Sequence, residues 1–228
     1  MDDKISILVL ACRSGSNDSS LNAGPSPLMT LGNGLVVEQI NNLFYDKSKY
    51  EIFIAVNPED MSFLEFNVFN GFKFIPVSTE SPCQTVNYCL DHIFTEWIHI
   101  LPISCVPIDI CKKRFEVFIE NQKRQKYNWS GFLINNKDIT VIPKDIKTNL
   151  ALNAFTGRFT ATKRFLSKKF NNLTKSQYKD LINFTNSSNF LDFKNICITQ
   201  WIDLGHIDSM SISRRYSFKS RGFNKLSL

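Results

Sequence analysis

Four short apolar runs, each of strand length, punctuate the first 125 or so residues: ISILVL, YEIFIAV, FKFIPV and WIHILPI. Residues 4–10 read as a central parallel strand covered on both faces, because the apolar character hardly breaks. Between the runs lie segments with helical spacing. GLVVEQINNLF sets Val36, Ile40, Leu43 and Phe44 on one face. PEDMSFLEFNVF opens with Pro58 and two acids, which suits a helix start. SPCQTVNYCLDHIF aligns Val86, Leu90 and Ile93, and PIDICKKRFEVFIENQKRQ turns Ile110, Phe115, Phe118 and Ile119 inward. Strand and helix alternate four times, so a parallel sheet with helices on both faces is expected.

The remainder is less regular. SGFLINNKDITVIP predicts a hairpin turning near Asn135 and Asn136. NAFTGRFTATKRFL predicts a strand that passes into a helix at about Thr162. KSQYKDLINFT reads as a helix, and NICITQWIDLGHID as a late strand followed by a turn at Gly205. SMSISRRYSFKSRGFN reads as helical. No repeat or low-complexity linker divides the chain. One domain over residues 1–228 is expected, with a basic tail, 205–228, packed on it.

Composition excludes several classes. No window approaches the ~18 unbroken apolar residues of a membrane span. MDDKISILVLACRSG is too acidic at its start and too short in its apolar stretch for a signal peptide, so a cytoplasmic protein is expected. The six cysteines, at 12, 83, 89, 105, 111 and 197, form no Cys-x-x-Cys pair and have no histidine at metal spacing. They read as reduced, mostly buried thiols. The net charge is +6, yet the basic residues are spread along the chain, so nucleic acid is not an expected partner. The exception is the tail, where Arg214, Arg215, Lys219, Arg221 and Lys225 follow Asp208 with no acid among them. It reads either as a solvated basic end or as a grip on an anionic ligand or acidic partner.

Two stretches carry chemistry. Residues 11–34, ACRSGSNDSSLNAGPSPLMTLGNG, form a small-residue loop between the first strand and the first helix, where many α/β proteins hold phosphates. Near the end stands Trp201-x-Asp203-x-Gly205-His206, followed by an aromatic and basic segment and then Arg221-x-Phe223-Asn224. With a Pro-x-Pro-Leu turn at 25–28, this order resembles the sugar-phosphate nucleotidyltransferases, and the tail resembles a branch found with bacterial capsule and surface-polysaccharide genes. The resemblance implies an α/β fold: a three-layer, Rossmann-like mixed sheet, shared with one large class of glycosyltransferases (GT-A), with a helical C-terminal segment. It implies a nucleotide or nucleotide-sugar as ligand and a sugar phosphate or similar phosphorylated acceptor as co-substrate. A homo-oligomer or a biosynthetic partner protein is compatible with it. Mg²⁺ is the cofactor it brings.

In that family a sugar-phosphate oxygen attacks an α-phosphate and pyrophosphate leaves, so phosphate charge must be neutralised and the attack held in line. The family loop survives here as Ala11-Cys12-Arg13-Ser14-Gly15-Ser16, with Gly15 in the glycine turn and Ser16 where Ser or Thr stands. The family arginine has become Asn17, although Arg13 sits within the loop. The lysine of Pro-Lys-Pro-Leu has become Ser26. The first aspartate, after the fourth strand, is replaced by Ile103-Ser104; Asp109 is the nearest stand-in, and it also reads as a helix-start acid. Asp203 matches the second aspartate directly.

The resemblance thus nominates Arg13, Asp203 and His206 as catalytic, with Asp203 and Asp109 toward Mg²⁺. Ala11, Cys12, Ser14, Gly15 and Ser16 would line the phosphates, Gln84 and Thr85 the nucleobase, and Arg215 and Arg221 a phosphate or pyrophosphate. Asp203 and His206 also have a structural reading, as a mutually bonded pair. His92, His99, Trp129 and Trp201 read as structural. Gly157 lies at a family turn where Thr156 and Arg158 would face the ligand, or it marks a strand bulge. Each lost charged contact is worth about 3 kcal/mol at the transition state. Three such losses, if additive, remove roughly 10⁶ in rate, though such effects rarely add. Two readings follow: a divergent enzyme that uses Arg13 and the tail arginines, or a non-catalytic binding or regulatory subunit. A glycosyltransferase is disfavoured, because the fourth strand carries no Asp-x-Asp.

Overall fold

The computed structural model describes residues 4–12, 30–31, 34–66, 71–79, 81–103, 105–107, 112–126, 128–135, 153–171, 196–198, 201–203, 216–219 and 222–225. The four apolar runs are strands β1 (Ile5–Ala11), β4 (Tyr50–Val56), β5 (Phe72–Pro76) and β6 (Trp97–Pro102). Two-residue strands β2 (Thr30–Leu31) and β3 (Gly34–Leu35) pair in a small ribbon between β1 and β4. Further on come β7 (Cys105–Pro107), β8 (Trp129–Asn135), β9 (Asn153–Thr162), β10 (Ile196–Ile198), β11 (Trp201–Asp203), β12 (Tyr216–Lys219) and β13 (Gly222–Lys225). The helices are α1 (Val36–Leu43), α2 (Met61–Phe66), α3 (Pro82–Cys89), α4 (Lys112–Arg124) and α5 (Lys163–Asn171).

Seven strands form one mixed sheet in the order β10-β8-β9-β6-β1-β4-β5. The pairs β6-β1, β1-β4 and β4-β5 are parallel, as the alternation of elements requires. β9 runs antiparallel to both β6 and β8, and β10 returns parallel to β8. Side chains alternate across β1. Ile7 and Val9 face one layer, with Val37 and Ile40 of α1, Phe44 just after it, and Phe115, Phe118 and Ile119 of α4. Leu8 and Leu10 face the other, with Val86 and Cys89 of α3 and Leu166 and Phe170 of α5. Period-2 alternation on strands buried on both sides therefore makes a three-layer sandwich, as expected.

Local chemistry sets the element ends. Ser81 caps α3 by accepting the Gln84 N–H at 3.3 Å, and Pro82 opens the helix where a missing N–H costs nothing. Gly71 turns into β5 at φ +99°, a conformation that side-chain-bearing residues rarely adopt. No helix among the described residues is long and apolar enough to cross a membrane.

Three expectations change. Within SMSISRRYSFKSRGFN, the described residues form an antiparallel ribbon, β12 with β13, and not a helix. Tyr216 and Phe218 alternate with polar neighbours at period 2, which a ribbon satisfies and a helix does not. Pro107, expected to open the helical segment PIDICKKRFEVFIENQKRQ, instead closes β7, which pairs antiparallel with β11. β8 finds its antiparallel partner in β9, so the hairpin partner proposed within residues 136–142 lies outside the described residues. The same is true of the helix expected over KSQYKDLINFT and the turn at Gly205.

Candidate functional site

The chain leaves β1 for β4 and β5 on one side, then returns to lay β6 on the other. That reversal makes a topological switch point between β1 and β6. In open α/β sheets ligands sit outside the carboxyl ends of the strands at such a point. The carboxyl end of β1 is Ala11, 1% exposed, followed by the half-buried Cys12, from which the small-residue loop departs. The end of β6 is tied alongside by the Ile103 N–H donating to the Leu10 carbonyl at 3.1 Å.

The neighbouring wall is the start of α3. The Thr85 and Thr79 hydroxyls lie 2.6 Å apart, and the Thr85 hydroxyl is 3.1 Å from the Ser81 carbonyl. Thr85 also hydrogen-bonds the Cys12 side chain, joining the loop's root to α3. Burial pushes the Cys12 thiol up to about 11, only partly offset by that bond. Cys89, deeper in the same layer, is pushed by burial to about 12. Both are protonated at neutral pH, so neither is an activated nucleophile. Thr85 is buried at 3% exposure, and Gln84 is the more accessible of the two base-contact candidates.

The register of the small ribbon is decisive for the tail motif. Asp203 of β11 pairs with Cys105 of β7, two residues beyond Ile103. Paired residues lie roughly 5 Å apart at Cα. The Trp-x-Asp motif, a hundred residues downstream in sequence, is thus brought back to the carboxyl end of β6. The tail ribbon packs with β12 beside β2 and β13 beside α1, the elements that follow the loop. Arg13, Ser14, Gly15, Ser16, Asn17, Ser26, Ser104, Asp109, His206, Arg215 and Arg221 lie outside the described residues.

The fold matches solved structures over nearly its full length. A protein of Bacillus anthracis named as a glucose-1-phosphate thymidylyltransferase, crystallised with sucrose, superimposes with a TM-score of 0.73, covering 94% of this chain and 97% of that one at 14% identity. The 4-diphosphocytidyl-2C-methyl-D-erythritol synthase of Anaerococcus prevotii gives 0.65, covering 93% and 95% at 12% identity. The bifunctional IspDF of Campylobacter jejuni gives 0.56, covering 81% of this chain and 47% of that one at 14% identity. The chain has the nucleotidyltransferase fold. No protein-family profile and no curated protein matches it in sequence.

Within this nucleotidyltransferase fold, a second polar cluster that sequence reading did not assemble is sealed under α4. His99 of β6 is fully buried, and Arg158 of β9 is 3% exposed. The Arg158 Nε–H donates to His99 Nε2 at 2.8 Å. Nε2 is therefore the bare nitrogen, and the neutral ring carries its proton on Nδ1, 2.9 Å from the Thr160 hydroxyl. Burial, then the nearby Arg158 charge, hold His99 well below the usual histidine range. The guanidinium lies 5.7 Å from the Phe115 ring centre, and Gln122 donates to the Thr160 carbonyl at 3.1 Å. Opposite Gly131 to Leu133, β9 runs from Phe159 to Phe155, two residues longer than its partner. The excess falls at 156–158, so Gly157 sits in a strand irregularity, and Arg158 is held by the core. His92 lies exposed with its ring 5.3 Å from Tyr88, and Trp129 is buried against Phe159, both away from the crevice.

Among the described residues, no group of three or more His, Cys, Asp or Glu could hold a metal ion. Of the two aspartates that the sequence resemblance nominates toward Mg²⁺, Asp203 is a described residue of β11 and Asp109 lies outside the described residues. Mg²⁺ commonly takes one or two carboxylates together with substrate phosphates.

Proposed function

We propose that the chain binds a nucleotide or nucleotide-sugar at the carboxyl ends of β1 and β6, as a divergent or degenerate sugar-phosphate nucleotidyltransferase of bacterial surface-polysaccharide synthesis, working in the cytoplasm. The observation that carries this reading is the β7–β11 register, which sets Asp203 against Cys105 beside the root of the small-residue loop. With Mg²⁺ bound, Asp203 would be a protein ligand, with Asp109 the candidate second, and the ion would neutralise phosphate charge. The backbone N–H groups of the loop, Ala11 to Ser16, would cradle phosphates. Gln84, at the mouth of α3, would face the base.

Two readings of the chemistry remain, each with its own support. The loss of the family's lysine, arginine and first aspartate, at Ser26, Asn17 and Ser104, favours a binding or regulatory subunit. The neutral Cys12 thiol supplies no replacement charge. The contacts of the tail ribbon with β2 and α1 favour a divergent enzyme, because Lys219 and Lys225, with Arg215 and Arg221 adjoining in sequence, then belong to a segment that meets the elements following the loop. A thermal-shift screen with CTP, UTP, GTP, ATP, dTTP and their diphosphates, with and without Mg²⁺, tests the shared part, since a ligand of the folded state alone raises its stability. A shift with one triphosphate that grows with Mg²⁺ is expected. Absence of any shift refutes nucleotide binding. Release of pyrophosphate with a sugar phosphate then separates enzyme from binding subunit.

A further inference from the structure

A cleft of about 530 Å³ opens at the opposite end of the strands, lined by Asn128, Arg164, Phe165, Lys168 and Lys169. Its position follows from the register. β9 ends at Thr162, which pairs with Trp97, the first residue of β6, and the Thr162 N–H donates to the Asn128 carbonyl. α5 begins one residue later, so the cleft sits at the amino ends of the parallel strands, away from the crevice between β1 and β6.

The described lining is basic. α5 reads KRFLSKKFN, with no acid in it. It buries Leu166 and Phe170 against the sheet, which turns Arg164 and Lys168 outward. Lys169 stands 5.5 Å over the Phe165 ring, which is half-buried at the cleft wall. No acid is among the described residues that line it. An arginine fork, two ammonium groups and an amide around an apolar floor suit a phosphate group on a carbon body. Arg matches a phosphate through paired N–H bonds, and Lys adds charge. A nucleic-acid surface fits less well, because the described lining is one short helix and Asn128, which is too small for a run of backbone phosphates.

We propose that this cleft is a second, phosphate-binding site, which clamps a phosphomonoester or diphosphate between Arg164 and Lys168 and rests its carbon body on Phe165. The phosphate can belong to a soluble metabolite or to an anionic lipid headgroup.

The test uses the full chain. Hydrogen exchange of residues 163–171 is followed with and without inorganic pyrophosphate, so that binding in the β1–β6 crevice does not enter the readout. Protection of this segment is expected, with an affinity that falls about tenfold or more in Arg164→Gln/Lys168→Gln. Both side chains are exposed, so the fold should be retained, and circular dichroism checks it. A second arm sediments the protein with phosphatidylcholine vesicles that contain phosphatidylglycerol. Protection by pyrophosphate without sedimentation assigns the site to a soluble ligand. Sedimentation that the double substitution abolishes assigns it to a headgroup. Protection unchanged by the double substitution, or no response in either arm, overturns the proposal.

Discussion

His99 shows how one buried side chain makes stability depend on pH. Its folded pKa lies well below the unfolded value, about 6.5, because burial and Arg158 disfavour its charged form. Above pH 6.5 both states are neutral and its contribution is full. As pH falls below 6.5, the unfolded chain takes up a proton that the folded chain refuses. Stability then drops by up to about 1.4 kcal/mol per pH unit until the folded pKa is reached. Thermal unfolding between pH 7 and 5 should show this slope, and His99→Gln should flatten it while lowering stability throughout. Cys12 offers a second check. A thiol at about 11, against a free thiol near 8.5, presents roughly a hundredfold less thiolate at pH 8. Iodoacetamide should accordingly label it about two orders of magnitude more slowly in the native protein than in urea. At this scale the sequence was only half informative. His99 and Trp129 were legible as core residues, but the His99–Arg158 bond joins positions 59 apart, and no periodicity announces such a pair.

Elements were legible where burial and local chemistry agreed. YEIFIAV and WIHILPI became strands, because runs buried on both faces need little else to define them. α3 was read from the spacing of Val86 and Leu90, and the structure adds that Ser81 and Pro82 set its start. Ser81→Ala should cost about 1 kcal/mol in chemical denaturation, with the m-value unchanged, since it removes one cap and exposes no core. The small ribbons were not legible for a matching reason. β7 and β11 are three residues each, too short for a period to emerge, and they exist only because their partners pair across a hundred residues of chain. The tail did carry a signal. Tyr216 and Phe218 before a two-residue connection, with Phe223 after it, form a hairpin pattern that its basic charge obscured.

At the scale of the molecule, the candidate site is a meeting of distant segments: the root of the loop, β7 with β11, and the tail. Sequence motifs located Asp203, but only the sheet order shows that it returns to the end of β6. Asp203→Asn should therefore remove the Mg²⁺-dependent part of any triphosphate-induced rise in Tm. If Asp203 instead holds only structure, the variant will lower Tm and leave the Mg²⁺ increment intact. Arg221→Ala should weaken triphosphate binding about tenfold, as expected for one charge-assisted contact; unchanged affinity by calorimetry removes the tail from the site.

The strand order also sets a schedule for the chain as it is made. β5, β4, β1 and β6 lie within the first 102 residues and can pair as soon as they emerge. The outer edge of β6, however, belongs to β9, which is complete only at Thr162. At about 5–20 residues per second, those 60 residues take roughly 3–12 s. For that interval the nascent protein presents an open, apolar strand edge, which invites pairing with any neighbouring chain. The dangerous moment in this protein's life is then a few seconds on the ribosome, before the reversed strand β9 arrives to cover the edge of β6.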